Sequence, residues 1–252
     1  MHLRLIRNAT VRLELGGRHL LVDPMLDPAG ARPPVEGSED DRRNPLVELP
    51  EPAEVVVAGL DAVLITHLHR DHFDAAAAEL LPKDLPVFCQ PEDREALAAH
   101  GFTDLRPVDR AADFDGIVIT RVPARHGSGA EAVQLAPVSG YVLRDPAGRT
   151  IYIAGDTVLY ESVEETLATH RPGVVVVNAS GAHFAGGEPI VMTMKEVVAV
   201  ARLVPDARVV AVHLEAINHC PETRADLHQC LHEEDLIERV TVPEDGAAVP
   251  VD

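Results

Sequence analysis

Short apolar runs separated by glycine and proline set the pattern of this chain. Residues 2–6, 10–15 and 19–23 are apolar or alternate with polar residues, and Gly16-Gly17 lies between the last two runs. Two such runs around a glycine pair are typical of a β-hairpin. Later apolar runs predict further strands at 62–66, 87–89, 116–122, 139–143, 150–154, 174–178 and 209–212.

Helical patterns follow several of these strands. They cover residues 74–81, 91–100, 193–203 and 226–232. Pro82 is a stop signal for the first of them. The second half of the chain repeats the plan of the first, with strands followed by helices. We therefore predict a single α/β domain over residues 1–252, with two β-sheets and the helices outside them.

The segment from residue 24 to residue 52 departs from this pattern. It is rich in proline and carries an acidic run at Glu39-Asp40-Asp41. We predict a long loop with little regular structure. Long loops in compact domains are usually functional, so we expect a lid over a site or an oligomer contact rather than a linker.

Amino-acid composition and net charge exclude several classes of protein. The 252 residues suffice for a sizeable core, which must be aliphatic because only 3% of them are aromatic. No apolar run is long enough to span a bilayer, and no secretory signal is evident, so we expect no membrane partner. Three cysteines without framework spacing indicate a reduced, cytoplasmic protein. A formal net charge of −19 argues against nucleic-acid partners.

The run Thr66-His67-Leu68-His69-Arg70-Asp71-His72 carries the strongest chemical signal. It directly follows the predicted strand at 62–66. Side chains alternate along a strand, so His67 and His69 project the same way, and a turn after them can aim Asp71 and His72 at a second point nearby. Imidazole nitrogens and a carboxylate suit zinc, manganese or iron. So dense a cluster of polar groups has no packing explanation, and we predict a metal site.

Three more candidate ligands follow other predicted strands. His126 comes after the strand at 116–122, Asp156 after the strand at 150–154, and His213 after the strand at 209–212. The ends of strands are where α/β sheets place functional groups. Each residue alone is a weak signal, because an aspartate after glycine is more often a turn residue or a helix cap. As a set in this order they indicate one shared site.

At this point the chain resembles the metallo-β-lactamase-fold superfamily. The H-x-H-x-D-H motif is complete at 67–72, and His126, Asp156 and His213 match the later ligands. The layout is most similar to the branch of L-ascorbate-6-phosphate lactonase-like proteins. The resemblance covers roughly residues 3 to 215 and implies an αββα four-layer sandwich.

The resemblance also implies roles for these residues. One metal ion would be held by His67, His69 and His126, and the other by Asp71, His72 and His213, with Asp156 bridging the two. Asp23 matches the aspartate that this family uses to orient the site. Two divalent metal ions are expected, zinc before manganese or iron. Such ions activate a shared water, and Asp71 is the natural proton acceptor.

Less specific signals surround this set. His183 follows the strand at 174–178, and it is either a catalytic proton donor at the rim of the site or a plain loop histidine. Glu215, Asn218 and His219 lie close after His213, where residues that hydrogen-bond metal-bound histidines would be needed. His219 could instead be the last metal ligand, although His213 is favoured because it directly ends a strand. Arg125, next to His126, is the favoured cation for an anionic substrate, ahead of Arg42-Arg43.

These features predict a metal-dependent hydrolase that cleaves an ester, lactone, phosphodiester or amide bond of a small, anionic molecule. The alternative class is a metal-bound sensor or binding protein on the same fold. A nuclease of the same superfamily is disfavoured by the acidic net charge. The sequence leaves a homo-oligomer open.

Overall fold

Two seven-stranded sheets contain the apolar runs of the chain. In the computed structural model, which describes residues 1–251, the first sheet is built from β1 (His2–Arg7), β2 (Thr10–Leu15), β3 (Arg18–Val22), β4 (Ala62–Leu64), β5 (Val87–Cys89), β6 (Leu105–Pro107) and the last strand, β14 (Ala248–Val249). The second sheet is built from β7 (Ala111–Phe114), β8 (Ile117–Pro123), β9 (Ser139–Arg144), β10 (Thr150–Ile153), β11 (Val174–Asn178), β12 (Arg208–Val212) and β13 (Val240–Thr241).

The two sheets repeat one topology. Their strand orders are β14-β1-β2-β3-β4-β5-β6 and β13-β12-β11-β10-β9-β8-β7. In the first sheet the pairs from β14 to β3 are antiparallel and those from β3 to β6 are parallel. In the second sheet the pairs from β7 to β10 are antiparallel and those from β10 to β13 are parallel. The repeated plan predicted from the sequence is therefore present.

The helices lie on the outer faces of the sheets. They are α1 (Ala53–Val56), α2 (Ala75–Leu80), α3 (Arg94–Ala99), α4 (Gly129–Gln134), α5 (Glu161–His170), α6 (Met194–Leu203) and α7 (Arg224–Glu233). A central aliphatic core, which includes Leu13, Ile119 and Val176, draws residues from both sheets. Two outer cores pack α1 to α3 on the first sheet and α5 to α7 on the second. This layering confirms the predicted αββα sandwich.

The predicted elements differ from the observed ones mainly at their ends. The helix expected over 91–100 is a single 3₁₀ turn, Pro91–Asp93, followed by α3. The helix α5 was missed, because its polar residues outnumber the three that it buries. The helix α4 was also missed, since it buries no side chain and so has no apolar stripe. No helix within residues 1–251 has the length and apolarity needed to cross a membrane.

The proline-rich segment is an ordered wall rather than a free loop. All of residues 24–52 is described, and these residues form no helix and no strand. The buried guanidinium of Arg7 donates to the carbonyl oxygens of Met25 (2.9 Å), Asp27 (2.8 Å) and Val47 (2.9 Å). Met25 also packs on Ala216 and Ile217, beyond the end of β12. The segment is thereby fixed against the loop that follows His213.

Candidate metal centre

The strand β4 delivers the dense histidine cluster to the end of the first sheet. The chain leaves β4 through the buried residues Ile65 and Thr66 and then turns, with the backbone N–H of His72 donating to the carbonyl oxygen of His69 at 2.9 Å. The ring centroids of His67 and His69 are 4.4 Å apart, and those of His67 and His72 are 4.1 Å apart. The turn therefore directs several side chains of this short run toward one point.

The strands β8, β10 and β12 of the second sheet bring in the remaining candidates. Asp156 follows Gly155, whose φ of 66° favours glycine, and a Cβ there would lie 2.8 Å from the carbonyl oxygen of Ser139. His213 follows β12 with a φ of 69°, and Asp23 follows β3 with a φ of 44°. Left-handed backbone at residues other than glycine is uncommon and tends to occur at functional sites.

The candidate ligands form two groups that share one carboxylate. Group A contains His67, His69, His126 and Asp156. Group B contains Asp71, His72, His213 and Asp156. Within each group, one ligand atom from every residue lies within 4.8 Å of the others. The structure thus brings together all seven residues that the sequence singled out.

The two oxygens of Asp156 face different groups. Its Oδ2 lies 3.1 Å from His126 Nε2 and 3.8 Å from His67 Nε2, both in group A. Its Oδ1 lies 3.3 Å from His72 Nε2 and 3.7 Å from His213 Nε2, both in group B. This is the arrangement expected of a carboxylate that bridges two cations.

Buried histidine nitrogens without hydrogen-bond partners indicate the kind of ligand that groups A and B would bind. The Nε2 atoms of His67 and His72 are buried and have no hydrogen-bond partner among the described residues. Burying such atoms costs free energy unless a ligand satisfies them. Imidazole and carboxylate donors in two clusters of four suit divalent transition metals. The residues present therefore fit two metal ions.

The opposite ring nitrogens are held by hydrogen bonds. The Nδ1 of His67 lies 3.0 Å from Thr66 Oγ1, and the Nδ1 of His126 lies 2.8 Å from the carbonyl oxygen of Ile190. The Nδ1 of His72 lies 2.8 Å from Asp23 Oδ2, so Asp23 has the orienting position expected for it. Such contacts fix each ring and leave Nε2 free to bind a metal.

Further contacts of this kind were not predicted from the sequence. Asn178 donates to Asp156 Oδ1 at 2.6 Å, and Ser180 Oγ and Cys220 Sγ lie 3.4 Å and 3.6 Å from His213 Nδ1. Asn178 ends β11 directly after a run of valines. A polar residue in that position was the sequence signal that could have identified it. Cys220 is half-buried beside this candidate ligand.

Proton affinities differ sharply between the groups. Burial lowers the pKa of His67 well below its ordinary value, and burial also lowers the pKa of His69. Burial opposes the charged form of His72 too, but the carboxylates around it, with Asp156 first, raise its pKa to about 10. For His213, burial is likewise outweighed, and Asp156 and Cys220 raise the pKa well above its ordinary value.

The two carboxylates respond to these charged rings. Burial would raise the pKa of Asp71, but His72 and His213 hold it well below its ordinary value. The same two histidines overcome burial at Asp156 and hold its pKa well below the ordinary value. Both carboxylates are therefore ionised near neutral pH.

A cavity of about 350 Å³ opens onto this centre. His69, Asp71, His126 and Asp156 form its polar floor. Its walls are largely apolar and include Pro33, Pro34 and Val35 from the proline-rich segment, together with Leu68, Leu135, Phe184, Ile190 and Ile217. The remaining lining residues are Arg32, Asn44, Arg70 and His219.

Two residues expected to support the ligands do not contact them. Asn218 is bound instead to the proline-rich segment, where its Oδ1 accepts from Asn44 Nδ2 at 2.6 Å and from the Val35 backbone at 3.1 Å. Glu215 pairs with Arg224, at 2.5 Å. The backbone after His213 turns away from the metal groups, so these two side chains bind neighbouring loops.

Two other candidates also lie elsewhere. The guanidinium carbon of Arg125 sits 4.3 Å from the ring centroid of Tyr160, and Arg125 is not among the residues that line the cavity. His183 lines a neighbouring cavity, and its Nδ1 lies 2.9 Å from the carbonyl oxygen of Gly181. His219 lines both cavities, whereas His213 is the residue that joins group B.

Known proteins resemble this chain over most of its length. A model of the beta-lactamase superfamily domain matches residues 18–214, a range that contains every residue of groups A and B. The UPF0173 protein YddR of Bacillus subtilis strain 168 is 35% identical over 249 residues, which cover 98% of each chain.

Two solved structures superpose on nearly the whole chain. A possible metal-dependent hydrolase from Veillonella parvula DSM 2008 has a TM-score of 0.96 at 31% identity, covering 99% of this chain and 98% of the other. The isothiocyanate hydrolase from Delia radicum gut bacteria has a TM-score of 0.94 at 36% identity, covering 99% of both chains.

Proposed function

Since the chain belongs to the beta-lactamase superfamily and is a metal-dependent hydrolase, we propose that it uses two divalent ions to hydrolyse small, apolar isothiocyanates. The family predicted from the H-x-H-x-D-H motif is confirmed. The substrate class is our inference from the cavity, supported by the relative from Delia radicum gut bacteria that is described as acting on isothiocyanates.

The apolar walls of the cavity are the observation that carries this proposal. Leu68, Leu135, Phe184, Ile190 and Ile217 surround a space of about 350 Å³ above Asp71 and Asp156. An isothiocyanate, R–N=C=S, combines an uncharged apolar group with one electrophilic carbon. The walls would take the R group, and the polar floor would lie beside the carbon.

The reaction adds one water to that carbon. R–N=C=S and H₂O give R–NH₂ and carbonyl sulfide, so both protons of the water must reach the nitrogen and the carbon–nitrogen double bond must break completely. Group A and group B would each hold one ion, with Asp156 shared. When bound, such a pair of ions lowers the pKa of a shared water toward neutrality and polarises the substrate.

Asp71 is the side chain best placed to move the proton. It lines the cavity, and its side chain keeps 15% of its surface exposed, unlike the fully buried His213 beside it. Its carboxylate is ionised near neutral pH and can therefore accept a proton. The apolar walls would limit competing water around the carbon.

An anionic substrate remains the alternative proposal. Arg70 is exposed and lines the cavity, as does Arg32. Arg32 is partly engaged, because its Nε lies 3.2 Å from Asp27 Oδ2 and its Nη1 donates to the carbonyl oxygen of Arg70, whereas its Nη2 is buried without a hydrogen-bond partner among the described residues. A phosphorylated lactone, the substrate type of the branch suggested by the sequence, would need Arg70. We also retain a cytoplasmic location as a proposal, in keeping with three free cysteines.

A substrate panel tests the proposal. Protein loaded with zinc, manganese or iron is assayed for amine release from benzyl and allyl isothiocyanate, beside a lactone, a phosphorylated lactone, a thioester and a phosphodiester. We expect isothiocyanates to be the best substrates and Asp71→Asn to lower their turnover at least about 100-fold. The exposed Asp84→Asn is the matched control. Preference for the phosphorylated lactone would instead support the anionic alternative, and metal-replete protein inert to the whole panel would support a binding protein.

A further inference from the structure

His219 forms part of the wall between the metal cavity and a second cavity. The second cavity is lined by residues that include Ser38, Arg42 and His183, and His219 belongs to both linings. The His219 ring stacks on Phe184, with centroids 6.3 Å apart and planes 19° apart. The mechanism described above leaves this histidine without a role.

The hydrogen bonding of its ring is incomplete. The Nδ1 of His219 is buried and has no hydrogen-bond partner among residues 1–251. A buried N–H without an acceptor is rarer in proteins than an unsatisfied acceptor, so the favoured neutral ring carries its proton on Nε2. Burial lowers the pKa of His219 to about 4, which keeps the ring neutral near pH 7. Cations bound in groups A and B would favour the neutral ring further.

The other potential donors of the cavity wall differ from His219 in hydrogen bonding, charge or exposure. Asn44 donates to Asn218 Oδ1 at 2.6 Å and accepts from the Asn218 backbone at 2.9 Å. Arg32 is a charged donor in an ion pair with Asp27, and its Nε and Nη2 are buried without a hydrogen-bond partner among the described residues. Arg70 is exposed to solvent, so a hydrogen bond from it would compete with water. His219 is thus the sheltered neutral donor of this wall.

Its position is fixed before any substrate arrives. The carbonyl oxygen of His219 accepts from the His183 backbone at 3.1 Å, and the Cys220 backbone donates to the carbonyl oxygen of Ile217 at 3.1 Å. On the preceding residue, Asn218 holds the proline-rich segment. A donor held in this way needs little reorganisation when charge develops near it.

We propose that His219 is a catalytic residue whose Nε2–H donates a hydrogen bond to the heteroatom that gains negative charge during attack on the substrate carbon. In an isothiocyanate this atom is the sulfur or the nitrogen of the N=C=S group. The inference rests on the proposed function for the identity of that atom. It assigns His219 to the substrate and not to a metal.

Two variants at this position test the proposal by kinetics. His219→Phe keeps the aromatic volume against Phe184 but removes the donor, and His219→Gln retains an N–H at a similar reach. We expect His219→Phe to lower kcat/KM about 100-fold, mostly through kcat, with unchanged metal content. His219→Gln should recover to within about tenfold of the original protein. The exposed His228→Gln on α7 is the matched control.

Contrary kinetic outcomes are equally clear. If His219→Phe stays within about threefold of the original protein, His219 is not the donor. If elemental analysis shows that His219→Phe loses one metal equivalent, the residue is a ligand and the proposal is wrong.

A second measurement does not depend on turnover. In ¹⁵N-labelled, zinc-loaded protein, the ring nitrogens of His219 are assigned by comparison with His219→Gln. We expect the neutral Nε2–H tautomer from pH 6 to pH 8. A ring protonated on Nδ1, or charged at pH 7, contradicts the proposal even if isothiocyanates prove not to be substrates. Absence of isothiocyanate turnover with the expected tautomer would overturn only the substrate class.

Discussion

Group A and group B share Asp156 and use the same kinds of ligand, yet two histidines of group A and the two histidines of group B hold protons in opposite ways. The pKa values of His67 and His69 lie below the ordinary value. Those of His72 and His213 lie above it, at about 10 for His72. The same residue type in one buried cluster therefore has two charge states near neutral pH.

The contacts of the rings explain this difference. In group A, the Nδ1 atoms of His67 and His126 meet a hydroxyl and a carbonyl oxygen. Asp156 lies near rings of both groups, but in group B Asp23 also contacts His72 and Asp71 also contacts His213, so each of these two rings has a second carboxylate beside it. A metal entering group A meets the neutral imidazoles of His67 and His69, whereas one entering group B must displace the protons of His72 and His213. We expect group A to fill first and group B to depend on pH.

Removing the shared carboxylate should have the largest effect, because it breaks both groups at once. We expect Asp156→Ala to lose metal from group A and group B and to lower hydrolysis more than about 100-fold. This loss exceeds the usual effect of removing a residue that only hydrogen-bonds a metal ligand. Elemental analysis and the hydrolysis assay measure the two effects, with Asp84→Asn as control. A variant that retained two metal equivalents would show that Asp156 does not bridge.

Isolating each group should expose the predicted difference in proton release. His69→Ala leaves all four residues of group B, and His213→Ala leaves all four residues of group A. Because raised pKa values keep His72 and His213 protonated between pH 6 and pH 8, zinc affinity of His69→Ala should rise about 10- to 100-fold per pH unit.

Affinity of His213→Ala should change much less over the same range, since His67 and His69 are already neutral. Competition with a chromophoric chelator at several pH values gives both slopes. Equal slopes would remove the distinction between the groups.

The ligands of both groups were predictable from local sequence, whereas their surroundings were not. His126, Asp156 and His213 each follow a strand that is visible as an apolar run, and neighbouring strand ends meet at one edge of a sheet. Asn218 was expected to support His213, but its actual partner Asn44 lies 174 residues away and has no local signal. Short strands such as β13 and β14, with two residues each, also lack a readable pattern.

The stability of the metal-free protein should depend on pH in opposite directions through the histidines of group A and group B. The raised pKa of His72 gives stability that is present below about pH 6.5 and is lost as the pH rises toward about 10. The lowered pKa values of His67 and His69 work in reverse, so their buried neutral rings cost stability as the pH falls below about 6.5.

We therefore expect the Tm of chelator-treated protein to be highest near pH 6 to 7 and to fall by several degrees toward pH 9.5. Zinc should flatten the alkaline side, since bound metal replaces the protons of group B. Differential scanning fluorimetry with and without zinc measures this. A Tm that rose steadily to pH 9.5 in metal-free protein would contradict the raised pKa of His72.

The smallest effect on hydrolysis should come from a change in the cavity wall rather than in the metal centre. Asn218 is buried and bonds to Asn44, Val35 and the carbonyl oxygen of Asp40, so Asn218→Ala leaves these groups unpaired. We expect a loss of about 1–3 kcal/mol in the free energy of unfolding.

Because the variant loosens the apolar wall and touches no ligand, KM should rise several-fold while metal content and the pH slopes of both groups stay unchanged. Denaturant unfolding and steady-state kinetics measure these quantities, with the exposed Gln229→Ala as control. If Asn218→Ala loses metal, the cavity wall and the metal centre are structurally coupled. The proline-rich segment would then help to hold the ligands of group B in place.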